Sequence, residues 1–254
     1  MIAAERQRRI LDQARREGTV RTTQLAQEYN VTEETIRRDL DYFARMGHLR
    51  RTHGGAMDVS FSLNEPPQSE REGRQLEEKI AIAREATQLV QAGETLLLDA
   101  SSTALEFASQ LPTDLSLRVV TYSQAVVDRL AIRDEIELVQ LGGSFDRRGR
   151  RYHGFLTETS LRMLRIDRFF FSGGGFNPTL GIGEPNPDQA RLKRMMLEHS
   201  LWKCVLMDHT KLGAMTDHFF AKPEELDAFV SDKKAKSFTR THFKNVPFEL
   251  HLAP

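Results

Sequence analysis

Apolar residues in the first sixty positions recur with the period of an α-helix in three successive segments. Their spacing predicts helices at about 5–17, 23–29 and 33–46, and a tight turn separates the last two. Thr32 precedes the third helix and is a good N-cap, because its side-chain oxygen can accept from a free amide of the first turn. Two short extended segments around residues 53–55 follow and predict a β-hairpin.

Three helices followed by a hairpin are the elements of a winged helix-turn-helix, whose third helix enters a groove of DNA. The charge distribution bears on this interpretation. The net charge of the whole chain is zero, but the first 57 residues contain 11 arginines and no lysine against eight carboxylates. Arginine favours forked contacts with phosphate and guanine edges. A small helical bundle with a solvated basic surface fits the same pattern, so both interpretations stay open on periodicity alone.

From residue 94 onward, nearly continuous apolar runs alternate with segments of helical spacing. The apolar runs predict strands at 94–99, 117–123, 136–143, 168–175, 204–208 and 228–232. The segments of helical spacing predict helices at 102–110, 124–132, 155–164 and 187–200. Strands that are apolar on both faces belong to parallel sheets covered by helices. This part of the chain is therefore predicted to be a doubly wound, Rossmann-like α/β domain.

These patterns divide the chain into two domains and a linker. Residues 1–57 form the predicted winged helix-turn-helix, and residues 76–254 form the predicted α/β domain, which begins with a helix at 76–92. Residues 58–75 include two adjacent prolines and few periodic apolar side chains, which predicts a hinge or linker.

The composition is that of an ordinary globular protein, with 39% hydrophobic and 28% charged residues in a chain of 254. No apolar run approaches the roughly 20 residues that span a bilayer, and the N-terminal sequence has no apolar core of signal-peptide type. Cys204 is the single cysteine of the chain, so no internal disulfide can form. We therefore expect a cytoplasmic protein without membrane contact.

Small, hydroxylated and glycine residues stand where the predicted strands end. In a parallel sheet these ends lie at one edge, which is where open α/β sheets bind ligands. Ser101, Ser102 and Thr103 precede a helix, so their hydroxyl and amide groups could hold an anion. The candidate effector-binding residues at these strand ends are Asp99, Ser101, Ser102, Thr103, Tyr122, Ser123, Gly142, Gly143, Gly174, Gly175, Asp208 and Lys211.

Each of these groups also has a purely structural interpretation. Residues 101–103 could simply cap a helix, and Gly142-Gly143 could form a tight turn. The histidines show no metal-ligand spacing with an acidic cluster, so we expect no metal site and no bound cofactor. A small, hydroxyl-rich anion such as a phosphorylated sugar fits the set when the strand ends converge.

Two motifs in the N-terminal part carry a family resemblance. The sequence TIRRDL occupies residues 35–40, and RTHGGA occupies residues 51–56. At this spacing they resemble the winged helix-turn-helix of DeoR-type bacterial transcriptional regulators. The resemblance implies double-stranded operator DNA as the partner. It also implies the contact residues, which are Thr32, Glu34, Thr35, Arg37, Arg38, Arg51 and His53. Arg38 faces away from the apolar stripe and is our candidate for reading a base edge.

The second half of the chain resembles the effector domain of the same family more loosely. Asp99, Thr103, Gly142-Gly143, Asp208, Lys211 and Gly213 match its motifs, and Lys79 and Lys193 resemble lysines common in the family. Ser101-Ser102 replace the usual Gly-Thr, and Tyr122 replaces an Asn. The resemblance implies a fold similar to ribose-5-phosphate isomerase, a phosphorylated sugar as effector, and Lys193 as a further effector-binding residue.

We therefore expect a ligand-responsive, homo-oligomeric DNA-binding regulator that represses carbohydrate-metabolism genes under the control of a phosphorylated sugar. The alternative is a sugar-phosphate isomerase-like enzyme with a DNA-binding appendage, in which Asp208 and Lys211 act as acid and base. The sequence shows no clear pair of carboxylates for proton transfer, which speaks against the enzyme.

Overall fold

A computed structural model describes residues 2–46, 48–52, 54–58, 65–244 and 246–254, without the side chains of Arg15, Arg16, Arg50 and Met57. The chain consists of two compact units, Met1–Asn64 and Glu65–Pro254.

The first unit is a winged helix-turn-helix, as predicted. Its described elements are α1 (Ala3–Glu17), β1 (Thr19–Arg21), α2 (Thr22–Glu28), α3 (Glu33–Arg45), β2 (Leu49–Thr52) and β3 (Gly55–Asp58). The described strands form an antiparallel sheet in the order β1-β3-β2, so the short segment before α2 joins the predicted hairpin. The apolar stripe of α3 is buried through Ile36, Leu40 and Phe43, which pack with Ile10 and Leu25.

A buried ion pair crosses this small core. Arg6 on α1 places its Nε atom 2.7 Å from Oδ2 of Asp39 on α3, and both side chains are buried. Gln7 donates to the other carboxylate oxygen of Asp39 at 2.7 Å. Because both oxygens of Asp39 are bound by α1, the pair fixes how the third helix packs on the first.

The second unit contains the longer list of elements. Its helices are α4 (Gln68–Gly73), α5 (Leu76–Thr87), α6 (Ser102–Gln110), α7 (Gln124–Leu130), α8 (Phe155–Arg162), α9 (Pro187–Glu198) and α10 (Lys236–His242). Its strands are β4 (Thr95–Leu98), β5 (Leu117–Thr121), β6 (Ile136–Gln140), β7 (Ser144–Asp146), β8 (Arg151–His153), β9 (Ile166–Phe171), β10 (Gly175–Asn177), β11 (Gly181–Glu184), β12 (Ser200–Leu206), β13 (His218–Ala221), β14 (Ala228–Ser231) and β15 (Glu249–Leu252).

The centre of this unit is a parallel sheet. Within the described residues it has seven strands, in the order β15-β14-β12-β9-β4-β5-β6, and all neighbouring pairs are parallel. From β4 the chain continues outward through β5 and β6, and from β9 it continues outward in the other direction. The boundary between β4 and β9 is therefore the switch point, where ligand crevices form in α/β sheets. Buried hydrophobic residues cover both faces of the sheet.

Several short elements differ from the prediction. The strand β15, the hairpin β7–β8 and the small antiparallel sheet β10-β11-β13 fall where no strand was predicted. The hairpin strands are only three residues long and partly exposed, so they carry no alternating apolar pattern.

Of the segment predicted as a linker, 58–75, residues 59–64 lie outside the described residues. Asp58 ends β3, and residues 65–75 belong to the second unit and include α4. Gln68 is buried, and its backbone N–H donates to the Arg148 carbonyl at 3.0 Å. Polar contacts rather than an apolar stripe hold this short helix in place, so hydrophobic patterning does not reveal it.

Replacing Asp39 with alanine should destabilise the first unit selectively. The substitution leaves the buried Arg6 guanidinium without its carboxylate, and breaking a buried pair in this way costs about 3–5 kcal/mol. Hydrogen exchange of the full-length protein should show faster exchange of the α1–α3 amides and an unchanged parallel sheet. Asp12→Ala removes an exposed carboxylate from α1 and serves as the control. Equal protection of α1–α3 in the Asp39 variant and the wild type would contradict this role.

Candidate effector site and DNA-binding face

The N-terminus of α3 carries two hydroxyl groups that contact each other. Thr32 caps the helix, because its Oγ1 accepts from the Thr35 amide at 3.2 Å. The Oγ1 atoms of Thr32 and Thr35 are 2.9 Å apart. Thr32 is exposed and Thr35 is half-buried. The positive end of the helix dipole and the free amides of the first turn make this a place where a phosphate can bind.

The arginines of α3 are paired with carboxylates of the same helix. Arg37 Nη2 lies 2.8 Å from Glu33 Oε2, and Arg38 Nε lies 3.4 Å from Glu34 Oε1. The Arg38 side chain is 80% exposed, as expected for a position opposite the apolar stripe. Exposed ion pairs of this kind contribute little to stability. DNA phosphates can therefore compete with the glutamates for either arginine.

Arg51 on β2 is bound within the unit. Its Nε atom lies 2.7 Å from Oδ1 of Asp41 on α3, and its Nη1 atom donates to the Gly55 carbonyl at 2.5 Å. The guanidinium therefore connects the hairpin to the third helix, in addition to the predicted reach toward the DNA backbone. His53, the remaining predicted contact, lies outside the described residues.

The switch point of the sheet is occupied by a buried lysine. Lys193 on α9 places its Nζ atom 2.7 Å from Asp99 Oδ2 and 2.6 Å from Glu184 Oε1. The same atom donates to the Ser172 carbonyl at 2.9 Å. These three acceptors use all the donors of the ammonium group. Lys193 and Asp99 were predicted to bind the effector, and the structure places both in this ion network.

The neighbouring carboxylates favour the charged form of Lys193. Burial alone would lower the pKa of the Lys193 ammonium, but Asp99 and Glu184 raise it well above its usual value. Asp99 receives three further hydrogen bonds. Its Oδ1 accepts from the amide and hydroxyl of Ser101 at 3.0 and 2.5 Å, and its Oδ2 accepts from the Ser172 amide at 3.1 Å.

Asp99 orients the loop that starts α6. The Ser101 hydroxyl, held by Asp99, caps the helix by accepting from the Ala104 amide at 3.1 Å. The backbone N–H groups of Ser102 and Thr103 have no acceptor within the helix, because the first intrahelical bond is donated by Leu105. They can therefore donate to a bound anion. The Thr103 hydroxyl is fully buried and has no hydrogen-bond partner among the described residues.

Lys211, which follows β12, contacts Ser172 at the end of β9. It ends a short 3-10 helix, His209–Lys211, and its Nζ atom donates to the Ser172 hydroxyl at 3.2 Å. In the part of the chain that the structure describes, no carboxylate lies within 4.0 Å of this Nζ atom. Burial lowers the pKa of Lys211, and the nearby Asp208 and Glu184 only partly offset this. Asp208 itself is buried and accepts from the Thr210 amide at 3.0 Å.

The structure adds charged residues that the motifs did not identify. Glu184 completes the Lys193 network, and Glu65, Arg71 and Arg151 form a second cluster. Their partners are as far as 86 positions away in sequence, so no local pattern connects them. Lys79, noted only through the resemblance, donates to the Arg71 and Arg74 carbonyls, which close the end of α4.

Two further predicted site residues, Tyr122 and Ser123, have their contacts within the domain. The Tyr122 ring is fully buried in the core, and its hydroxyl donates to Gln189 Oε1 at 3.2 Å. Ser123 caps α7 by accepting from the Val126 amide at 3.3 Å.

The predicted glycines allow close backbone approach. A Cβ atom at Gly143 would meet the Thr157 hydroxyl at 2.4 Å, and one at Gly175 would meet the Ala214 carbonyl at 2.5 Å. A Cβ atom at Gly174 would meet Pro185 at 2.8 Å. The Gly142 carbonyl accepts from the Thr157 hydroxyl at 2.7 Å, so the Gly142-Gly143 pair packs on α8, apart from the contacts at the switch point. These contacts fit the structural interpretation of the glycines, and their part in effector binding stays a prediction.

Comparisons with known proteins agree with this architecture. A family model for the DeoR-like helix-turn-helix domain matches residues 6–60, and one for the DeoR C terminal sensor domain matches residues 74–233. The uncharacterized HTH-type transcriptional regulator YulB of Bacillus subtilis is 34% identical, over 91% of this chain and 90% of its own length. The transcriptional repressor AccR of Agrobacterium fabrum is 30% identical, over 97% of this chain and 94% of its own length.

The chain belongs to the DeoR family of transcriptional regulators. Its first unit is the DNA-binding domain of this DeoR-type regulator, and its second unit is the sensor domain. The isomerase-like enzyme is not favoured, because the matching families and relatives are transcriptional regulators. A ribose 5-phosphate isomerase A from Methanocaldococcus jannaschii is similar at 20% identity over 53% of each chain, with a TM-score of 0.40, which carries no argument about activity.

Two further observations concern the residues that the structure describes. None of their helices is both long and apolar enough to cross a membrane. They also contain no group of three or more histidine, cysteine, aspartate or glutamate side chains placed to hold a metal ion.

Replacing Lys193 with methionine should destabilise the sensor domain of this DeoR-type regulator. The variant leaves Asp99 and Glu184 buried together without a cation, and the expected loss in the free energy of unfolding is about 3–5 kcal/mol. Urea denaturation monitored through Trp202 in β12 measures this loss. Lys203→Met is the control, because it removes an exposed ammonium group from β12. A Lys193 variant as stable as the control would contradict the central place of the network.

Proposed function

We propose that this DeoR-type regulator represses carbohydrate-metabolism genes and responds to a phosphorylated sugar. It binds double-stranded operator DNA through α3 and the β2–β3 hairpin. It binds the effector where β4, β9 and β12 end. One observation carries the effector assignment: hydrogen bonds through Ser172 and Asp99 connect the unpaired donors of the α6 N-terminus to Lys211, a cation that has no carboxylate partner in the described structure.

The two features are linked by a chain of hydrogen bonds. Lys211 donates to the Ser172 hydroxyl, the Ser172 amide donates to Asp99, and Asp99 holds Ser101 at the start of α6. An anion at this point would receive the amides of the first turn and the charge of Lys211 together. Helix N-termini and lysine ammonium groups are a frequent combination in phosphate sites.

The second assignment is the direction of regulation. The name of the relative AccR supports repression, and repression needs no more than occupancy of a site that overlaps a promoter. We also propose a homo-oligomer, because paired recognition helices read the two half-sites of a symmetric operator. In vitro transcription from a promoter that carries the selected operator tests both the sign and the response to sugar phosphates.

Replacing Arg38 with alanine should weaken operator binding by about 1–3 kcal/mol and relax specificity at one base position. The side chain is exposed on α3, so the fold should be unaffected. Operator fragments are first selected from random double-stranded DNA by the full-length protein, and their affinity is then measured by titration. Arg118→Ala removes an exposed arginine from the sensor domain and is the charge-matched control. Unchanged affinity and unchanged selected sequence would remove Arg38 from the interface.

Replacing Ser102 with aspartate should abolish effector binding, because it places a carboxylate at the α6 N-terminus. In the wild type, a phosphorylated sugar at about 100 times its Kd adds about 2.7 kcal/mol of stability, which raises the melting temperature. A thermal-shift panel of sugar phosphates against the corresponding free sugars measures this.

The control is Thr113→Asp, which adds the same charge in an exposed loop beyond the other end of α6. It should keep the response, and both variants should still bind operator DNA. A Ser102 variant that responds like the wild type would show that the anion binds elsewhere.

A further inference from the structure

Residues 65–75, called here the connecting segment, begin the sensor domain and follow directly on the DNA-binding unit in the chain. Two arginines hold its first residue. The Glu65 carboxylate makes a two-pronged ion pair with Arg151, with Nη–Oε distances of 2.8 and 2.7 Å. The Nη1 atom of Arg71 lies 3.3 Å from the same carboxylate. The three side chains are largely buried, at 13%, 6% and 16% exposure for Glu65, Arg151 and Arg71.

Both arginines stand at the edge of the sheet where the effector site lies. Arg151 is in β8, whose main chain pairs with Ser123 and whose next amide, that of Tyr152, donates to the Tyr122 carbonyl at 2.8 Å. This places Arg151 at the end of β5. The Nη2 atom of Arg71 contacts the Ala100 carbonyl at 3.4 Å, which places Arg71 at the end of β4. The two guanidinium groups therefore belong to neighbouring strand ends.

A third cation holds the far end of the connecting segment. Lys79 on α5 donates to the carbonyls of Arg71 and Arg74. In the described structure no carboxylate lies within 4.0 Å of its Nζ atom. Burial and the charge of nearby Lys211 lower the pKa of Lys79 to about 8. An anion near Lys211 is therefore attracted to the same cation that closes α4.

We infer that Arg71 and Arg151 form an anion subsite of the sensor domain, that Glu65 is its internal occupant, and that the anionic group of the effector displaces Glu65. A guanidinium that donates to a carboxylate on two prongs, with a second guanidinium beside it, also suits a phosphate. The exchange keeps the arginines compensated, because one anion replaces another. This inference rests on the proposed function. Arg71 contacts the Ala100 carbonyl, next to the Ser101 cap of α6, so the phosphate at the α6 N-terminus is the group that reaches the arginines and displaces Glu65.

Displacement has a consequence for the connecting segment. Glu65 is bound by charge rather than by apolar packing, and burial alone would raise the pKa of its carboxyl group. The guanidinium groups of Arg151 and Arg71 instead lower it to about 2. When an external anion takes the place of Glu65, the Glu65 carboxylate moves into solvent. The connecting segment then loses its attachment to the sheet edge. The ligand then favours the released state, which is what coupling to the DNA-binding unit requires.

The subsite predicts that Glu65 weakens anion binding in the wild type. An apparent Kd rises when the competent state is only a small fraction of the protein. Glu65→Gln keeps the shape of the side chain and removes its charge, so the Kd for inorganic phosphate should fall by about tenfold or more. Glu65→Asp keeps the charge and should stay near the wild type. Glu137→Gln, an exposed carboxylate paired with Arg118, is the matched control.

Hydrogen exchange of the full-length wild type and of Glu65→Gln supplies the second measurement. In the wild type, inorganic phosphate should accelerate exchange of the amides of residues 65–75 relative to chloride at equal ionic strength. Glu65→Gln should show that faster exchange without phosphate. Unchanged exchange in this segment, or a phosphate affinity of Glu65→Gln no higher than that of the wild type, would overturn the displacement of Glu65.

The two proposals fail in distinguishable ways. When sugar phosphates stabilise the wild type but leave exchange in the connecting segment unchanged, the displacement is wrong and the effector assignment stands. When no phosphorylated compound stabilises the wild type or Glu65→Gln, both are wrong.

Discussion

The ammonium group of Lys193 is the interaction on which the sensor domain depends. It joins four elements at one point, because Asp99 follows β4, Ser172 follows β9, Glu184 ends β11 and Lys193 lies on α9. A buried charge is tolerated only when it is fully compensated, so these elements must meet in this geometry. Asp99 in turn fixes Ser101, and through Ser101 the direction in which α6 begins. The structural network thus determines where the unpaired donors of the candidate effector site point.

Periodicity was sufficient to predict the layers of this protein and insufficient for its charged clusters. The stripe of α3 and the apolar runs of the parallel strands have local spacings that a sequence displays directly. The pairs Glu65–Arg151 and Asp99–Lys193 join residues that are distant in sequence, so their positions follow only from the tertiary fold. The edge strand β15 and helix α4 were missed because short or polar elements carry weak patterns.

The candidate effector site also contains residues that the sequence predicted correctly to come together and residues whose surroundings it did not predict. Residue types at strand ends predicted that Asp99, Ser101 and Lys211 come together, and their hydrogen bonds converge on Ser172 and α6. The same rule failed to distinguish glycines that leave room for a ligand from glycines that leave room for the backbone. Gly143 and Gly175 are of the second kind, since protein atoms already fill the space beside each Cα. Only the contacts across the fold separate the two cases.

At both proposed binding surfaces, arginines pair with carboxylates of the same unit. On α3, Glu33 and Glu34 pair with the arginines proposed to meet DNA. In the sensor domain, Glu65 pairs with the arginines at the sheet edge. A phosphate that meets these arginines would therefore exchange with an internal carboxylate, whereas one that meets Lys211 would find a cation that has no carboxylate partner among the described residues. Such exchange lowers the affinity for any anion. Specificity then comes from the other groups of the ligand, which must also make contacts with the protein. Released carboxylates then carry the signal, because their departure is what distinguishes the bound state from the free one.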